Sequence, residues 1–201
     1  MALHTRRVVL RLAAGAAGLA SVSASIPAMA ADEPAAKLIE TVAAQVIELI
    51  KSKPAGVERE QGIRAVLEQY FDLPDMGRSA LATYWDQINE QQQQRFLKAA
   101  VAAEARAYSE RFGQYGGQTL TVEKVDKKPR GLEVVLSKLN QSNGQPIKME
   151  WTVRDNRIID VRIEGVSMVF TRRSDYKSYI SNHGNKVEPL IEELESRAKG
   201  Q

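Results

Sequence analysis

The sequence of 201 residues contains no cysteine and only two histidines. Without cysteine, disulfide bonds, thiol nucleophiles and thiolate metal ligands are excluded. His4 lies in a segment that we predict to be removed, so His183 is the one histidine expected in the mature protein, and a multi-histidine metal site is excluded. Because Asn182 and Gly184 flank His183, we interpret it as a helix C-cap and not as a catalytic base.

Catalytic and phosphate-binding motifs are also missing. The chain has no G-x-S-x-G, P-loop, H-E-x-x-H, EF-hand or Rossmann pattern. Gly113, Gly116 and Gly117 fit a helix stop followed by a turn better than a phosphate cradle. Among the carboxylates, Glu104 is the one candidate for an acid or base, and we interpret it as part of a solvated helix edge. The sequence therefore favours a protein that is not an enzyme and that needs no metal or other cofactor.

The basic excess of the chain is confined to its first residues. Lys and Arg number 28 against 25 Asp and Glu, but residues 1–30 hold three arginines and no acid, so the remainder is neutral. Arg6, Arg7 and Arg11 are followed by an apolar run too short to span a membrane and by a small-x-small pattern at 28–30. We therefore predict a signal peptide at 1–30, similar to a twin-arginine signal, and a single exported domain at 31–201.

Two local basic runs remain in this neutral chain, at 127–130 and at Arg172-Arg173. We interpret the first as a turn and the second as a solvated approach to a helix, because neither is embedded in a wider basic surface. No nucleic-acid partner is predicted.

Apolar residues at helical spacing predict three helices before residue 86. The first helix ends before Pro54, and the second covers about 58–69. Leu73-Pro74 is expected to interrupt the second helix, since the residue before a proline avoids helical geometry. A short third helix is predicted at about 75–85.

The longest predicted helix, about 90–112, presents an inner face of little volume. Asn89 and Gln92 form a capping box at its start, and Gly113 follows its end. Such a face can pack closely against a neighbour, or it can border a void that another molecule fills. Periodicity alone favours close packing. The small positions of this face are Ala99, Ala100, Ala103 and Ala107.

From Thr119 the apolar period changes to two, which predicts four half-buried strands. Short turns at 127–131, 143–144 and 155–156 connect them, so we expect an antiparallel meander with one face covered by helices. The alternating apolar positions are Leu120 and Val122, then Leu132, Val134 and Leu136, then Ile147, Met149, Trp151 and Val153, then Ile159, Val161 and Ile163.

Two helices are predicted after the strands, so the fold class is α+β. Ser174 is the expected N-cap of a short helix that ends near His183. Asn185 and Glu188 predict a capping box for a final amphipathic helix, whose apolar side runs from Val187 to Leu194.

Several segments in this order resemble the MlaC-type periplasmic phospholipid-binding proteins, also called toluene-tolerance auxiliary proteins of ABC transport systems. One departure is Ala82, which stands where the family usually has a glycine shortly before the tryptophan. The strand after Asp155-Asn156 is also shorter than in many members. The segments that carry the resemblance are 71–73 (FDL), 76–85 (MGRSALATYW), 92–96 (QQQRF), 107–117 (AYSERFGQYGG), 164–168 (EGVSM) and 173–176 (RSDY).

This resemblance implies a lipid carrier with a curved four-stranded antiparallel sheet, packed against N-terminal and C-terminal helices that enclose an apolar cavity. The cargo would be a phospholipid, exchanged between an outer-membrane lipoprotein complex (MlaA-like) and an inner-membrane ABC transport complex (MlaD-like subunit) to maintain outer-membrane lipid asymmetry. Together with the apolar sheet face, it suggests a set of lipid-binding residues. These are Trp85, Phe96, Ala100, Tyr108, Met149, Trp151, Val161, Ile163, Val166 and Met168.

Three alternatives stay open on the sequence. A hopanoid-associated branch shares the same pattern, so a sterol-like lipid is a second candidate cargo. A secreted enzyme on lipid or glycan would use Glu104 or an aspartate as acid or base. A scaffold subunit would dock a partner through the final helix and carry no ligand.

Overall fold

The computed structural model describes residues 33–113, 116–142 and 144–200. The predicted signal peptide at 1–30 and Asn143, part of one predicted turn, lie outside the described residues.

Three helices precede the long one, as predicted. Helix α1 spans Pro34–Ser52, α2 spans Val57–Tyr70 and α3 spans Leu73–Leu81, followed by a 3-10 helix at Ala82–Gln87. Leu73-Pro74 does not merely interrupt α2: it begins α3, because proline fits the first turn of a helix and the Asp72 side chain accepts a hydrogen bond from Asp75 N (3.1 Å). The third helix therefore starts and ends earlier than predicted.

Helix α4 spans Glu90–Arg111 and begins at the predicted capping box. Gln92 N donates to Asn89 Oδ1 (2.9 Å), and Asn89 N donates to Gln92 Oε1 (3.2 Å). These reciprocal bonds satisfy two backbone donors at the helix start, which fixes where the long helix begins.

The sheet is an antiparallel meander with strand order β1-β2-β3-β4-β5. Register shifts at Val122/Lys124 and Thr152/Val153 mark two irregularities that bend the strands locally. The prediction of four strands is wrong by one: Val166–Ser167 forms a fifth, too short to produce an alternating pattern. The sheet does not close on itself. Its strands are β1 Thr119–Lys128, β2 Leu132–Asn140, β3 Ile147–Arg154, β4 Arg157–Ile163 and β5 Val166–Ser167.

Both C-terminal helices exist, but their predicted caps are wrong. Helix α5 spans Met168–Asn182 and is capped by Ser167, whose Oγ accepts from Phe170 N (3.1 Å), so Ser174 lies inside the helix. Helix α6 spans Glu188–Lys199 with Val187 at its N-cap, and no side chain caps it. Pro189 in the first turn has no backbone N–H, so one of the donors that a helix start leaves unpaired is absent here.

Two hydrophobic clusters hold the fold. One joins α1, α2 and the inner sheet face around Ile39, Val135 and Ile158, all 0% exposed. The other joins α3, α4, α5 and α6 around Phe96, Ile180 and Ile191, also 0% exposed. Helix α4 packs against α6 and α2, so that α1 and not α4 covers β1 and β2. The space left between α4 and the sheet is the functional-site candidate.

Candidate functional site

An open cavity of about 520 Å³ lies between the inner sheet face and helices α1 to α5. Its wall is almost entirely apolar, and its polar side chains are few enough to consider singly. The prediction of a fully enclosed cavity is not confirmed. A space of this kind, with an apolar lining and few polar groups, is the usual form of a small-molecule site.

The sheet side of the wall is formed by the apolar positions of alternate residues. Met149 and Trp151 on β3 face the cavity beside Val161 and Ile163 on β4, with which they pair in register. Trp151 Nε1 donates to Ser137 Oγ (2.9 Å), and this bond satisfies the indole N–H in a buried place. The hydroxyl of Ser137 in turn donates to Met149 O (3.4 Å). The tryptophan ring is thereby held in one orientation in the wall.

Helix α4 supplies both close packing and cavity wall. Ala99 and Ala103 are buried in the cluster with α5 and α6, where small side chains let the helices approach. Ala100, on the adjoining face, borders the cavity. The alanine-rich face therefore packs closely at Ala99 and Ala103 and borders a cavity at Ala100, and that another molecule fills this cavity stays a prediction.

Exposure rises along the cavity side of α4. Phe96 at the inner end is 0% exposed, whereas Phe112 at the outer end is 38% exposed and stacks on Tyr108 with ring centroids 5.5 Å apart. The cavity is therefore closed near Phe96 and open toward the C-terminal end of α4.

The structure brings most of the predicted site residues together. Trp85 and Val166 lie outside the wall: Trp85 packs edge-on against Phe96 in the helical cluster, and Val166 is 54% exposed on β5. The predicted residues that do form the wall are Phe96, Ala100, Tyr108, Met149, Trp151, Val161, Ile163 and Met168. That they bind lipid stays a prediction.

The sequence reasoning missed the wall contributed by α1 and α2. The apolar stripe of α1 runs from buried residues under the sheet to half-buried ones that face the cavity, and the stripe itself was the available signal. The missed residues are Val42, Ala43, Val46, Ile47, Ile50, Ile63, Val66 and Leu67.

One ion pair lies in the wall, and it corrects two predictions. Glu104 is not on a solvated edge and Arg172 is not on a solvated approach: the two carboxylate oxygens of Glu104 accept from Arg172 Nε and Nη2, the latter at 3.0 Å. Arg172 Nη1 also donates to Asp175 Oδ2 (3.0 Å). The pair links α4 to α5, and both edges of the guanidinium are occupied.

These contacts shift the ionisation of the groups around them. The hydrogen bonds that Arg172 donates to Glu104 raise the pKa of Arg172, and burial partly offsets this rise. Burial, and then the negative charge of Glu104, raises the pKa of Tyr108 and of Tyr176. All three side chains therefore keep their ordinary protonation at neutral pH, and neither tyrosine becomes a phenolate nucleophile.

The one histidine among the described residues lies outside the cavity. His183 lies at the C-terminal end of α5, as predicted, where its Nδ1 is 2.7 Å from Tyr179 O and its ring stacks on Tyr179. Its ring is thus held by its own helix, and it is absent from the cavity wall. Within residues 33–113, 116–142 and 144–200, no cluster of metal-ligating side chains occurs.

Both the sequence and the fold are similar to those of known proteins. The sequence matches the MlaC protein family over residues 40–196. The chain belongs to the MlaC family. The resemblance stated from the sequence motifs is thus confirmed, and the family is periplasmic.

A solved structure similar to this MlaC-family chain is that of the phospholipid-binding protein from Ralstonia solanacearum, in complex with a phospholipid. The two are 21% identical, with a TM-score of 0.69, over 82% of this chain and 96% of the other. This likeness supports the α+β fold. No curated protein matches the sequence. Across the described parts of the chain, no helix is both long and apolar enough to cross a membrane.

Proposed function

We propose that this protein is a phospholipid carrier that holds acyl chains in the cavity between α4 and the sheet. The observation that carries the proposal is the cavity itself, which is about 520 Å³ in volume and almost wholly apolar in an MlaC-family fold. The phospholipid complex of the Ralstonia protein supports the choice of cargo. Binding, and not catalysis, is the role that such a lining serves.

The energetics of acyl-chain burial suit a carrier. Each buried methylene contributes about 0.8 kcal/mol, but a bilayer offers the same chain nearly the same burial. The protein therefore competes with the membrane and not with water. Exchange in both directions requires nearly equal free energies in cavity and bilayer, which a smooth apolar wall provides and a strong clamp would not.

The proposal extends to where the carrier works. Residues 1–30 direct export, and the mature protein moves lipid through the periplasm between an MlaA-like outer-membrane complex and an MlaD-like subunit of an inner-membrane ABC transport complex. Such exchange would help maintain outer-membrane lipid asymmetry. The periplasmic location of the MlaC family supports this assignment.

The competing functions have less support. An enzyme using Glu104 is disfavoured because both oxygens of that carboxylate accept from Arg172, which leaves it poorly placed to transfer a proton. A scaffold docking through α6 is disfavoured because Leu190, Ile191 and Leu194 are already buried in the helical cluster. A hopanoid is the alternative cargo, since a rigid ring system also fills an apolar space.

Native mass spectrometry of the purified mature protein tests the function. We expect bound species whose masses, after extraction, are those of diacyl phospholipids. An empty protein that also takes up no phospholipid from vesicles would contradict the proposal. If hopanoid were bound in place of phospholipid, the carrier function would stand with hopanoid as its cargo. Turnover of added lipid would point to an enzyme.

A further inference from the structure

Among the residues that the structure describes, three charged side chains contribute to the cavity wall: Glu104, Arg111 and Arg172. Two of them neutralise each other, because Arg172 donates to both oxygens of Glu104 and uses its remaining edge on Asp175. An incoming anion would have to break these bonds to reach Arg172. The ion pair is therefore a poor site for a phosphate.

Arg111 differs from this pair in having no anionic partner among residues 33–113, 116–142 and 144–200. It is an exposed residue in the last turn of α4, and no ion pair or hydrogen bond within the described residues involves its side chain. Tyr108, three residues earlier on the helix, also lines the cavity, so both residues lie on the cavity side of α4. The positive charge of Arg111 opposes the rise in the pKa of Tyr108. Of the charged side chains that the structure describes in the cavity wall, Arg111 is therefore the one that is not in an ion pair.

That charge lies at the open end of the cavity. Neighbouring Phe112 is 38% exposed, whereas Phe96 at the other end of the same helix face is 0% exposed. Gln118 and Gln141 line the same cavity and lie next to the paired ends of β1 and β2, where Thr119 lies opposite Asn140.

The two glutamines add hydrogen-bond donors to the cavity wall. Gln118 uses its carbonyl oxygen to accept from Gly116 N (2.8 Å), which leaves its NH₂ group available. Gln141 donates one of its two amide hydrogens to Gln145 O (3.0 Å). A positive charge and amide donors in the wall of one apolar space, with the charge at its open end, are complementary to an amphiphile with an anionic head group.

We propose that Arg111 binds the phosphate of the lipid head group, with Gln118 and Gln141 beside it, while the acyl chains extend inward along α4 toward Phe96. This inference rests on the proposed carrier function and names the part of the ligand that fixes its orientation. Because the site is exposed, its contribution is modest and salt-dependent, so the head group orients the lipid without trapping it.

The test compares two ligands that share acyl chains, of which one carries an anionic phosphoglycerol head group and the other a free hydroxyl. Delipidated mature protein is offered dioleoyl phosphatidylglycerol or dioleoylglycerol from dodecyl maltoside micelles, and the bound fraction is measured by native mass spectrometry. We expect the wild type to prefer the phospholipid by about tenfold. Arg111→Gln should lower phospholipid affinity about three- to tenfold and leave dioleoylglycerol binding unchanged. Arg111→Lys, which keeps the charge, should retain most of the preference.

Lys98→Gln is the matched control, since it removes the same charge from an exposed position of α4 outside the cavity wall. It should change neither affinity. If Arg111→Gln lowered the affinity for both ligands equally, or lowered neither, the inference would be overturned while the carrier function stayed intact. Binding of neither ligand by the wild type would overturn the carrier function itself. Displacement of the phospholipid by equimolar inorganic phosphate would assign Arg111 to a free anion and also overturn the inference.

Discussion

Replacement of Arg59 should cost this fold more than replacement of any surface arginine. Arg59 on α2 is 2% exposed, and its guanidinium donates to backbone carbonyls alone. Nε donates to Lys53 O (2.8 Å) and Nη1 to Ser109 O (3.2 Å) and Gly113 O (2.8 Å). Nη2 donates to Ile50 O (3.3 Å). One side chain thus satisfies the carbonyl groups that end both α1 and α4.

The magnitude follows from what Arg59→Met would leave behind. Four carbonyl oxygens would lose a charged donor, and each such loss costs about 1–3 kcal/mol where water cannot replace the donor. Gly113 is exposed and can recruit water, so the total should be about 3–5 kcal/mol and not the full sum. At about 2–4 °C per kcal/mol for a domain of this size, the melting temperature should fall by about 6–20 °C.

Urea unfolding followed by circular dichroism measures this loss directly. Arg78→Met is the control, because the side chains of Arg78 and Asp86 are 66% and 76% exposed and their ion pair should contribute less than about 1 kcal/mol. Arg59→Lys should give an intermediate loss, since an ammonium cannot reach all the carbonyls. A loss below about 1 kcal/mol in Arg59→Met would refute the account of these helix ends.

Three further changes have signs that the structure determines. Ala82 has φ 50° and ψ −122°, a conformation that favours glycine, so Ala82→Gly should raise the free energy of unfolding by about 1 kcal/mol. Ser137→Ala should lower it by about 1–3 kcal/mol, because the buried N–H of Trp151 would lose its acceptor. Hydrogen bonds from Gln92 and then Arg95 lower the pKa of Glu188, so this contact stabilises the fold above about pH 4.5 and is lost as pH falls further. Glu188→Gln should therefore flatten the loss of thermal stability in acid.

Each of these predictions has a result that would contradict it. An unchanged or lower unfolding free energy in Ala82→Gly would show that the backbone is not strained at that residue. Full stability in Ser137→Ala, measured by the same urea titration, would mean that another acceptor or a water serves the indole. For Glu188→Gln, a melting temperature that falls between pH 6 and pH 3 as steeply as in the wild type would exclude the contact of Glu188 with Gln92 and Arg95 as a source of acid lability.

The sheet and the long helix were predictable because their signals are local. Alternating apolar residues separated by turn residues define β1 to β4, and the Asn89/Gln92 capping box determines the start of α4. The start of α5 was not predictable from the sequence, because Ser167 and Ser174 are both acceptable N-cap residues. Only the pairing of β5 with β4 brings Ser167 to the helix start. Local patterns do not choose between two such serines.

The site was predictable only in part, for the same physical reason. Apolar positions on β3, β4 and α4 follow from periodicity, and they do face the cavity. The ion pair of Glu104 with Arg172 joins residues far apart in the sequence, and the carbonyls bound by Arg59 belong to two other helices. Contacts between distant segments depend on how the helices pack, which the spacing of residues within one helix does not determine.

The central claim is that acyl chains occupy the cavity between α4 and the sheet. Ala100 lines this cavity, so Ala100→Trp would fill part of it, whereas Ala44→Trp adds the same ring at an exposed position of α1 outside the wall. The deciding measurement is phospholipid extracted per mole of each purified protein, after circular dichroism has shown that all are folded. The account predicts wild-type lipid content in Ala44→Trp and a severalfold loss in Ala100→Trp. Equal lipid content in both variants would contradict it.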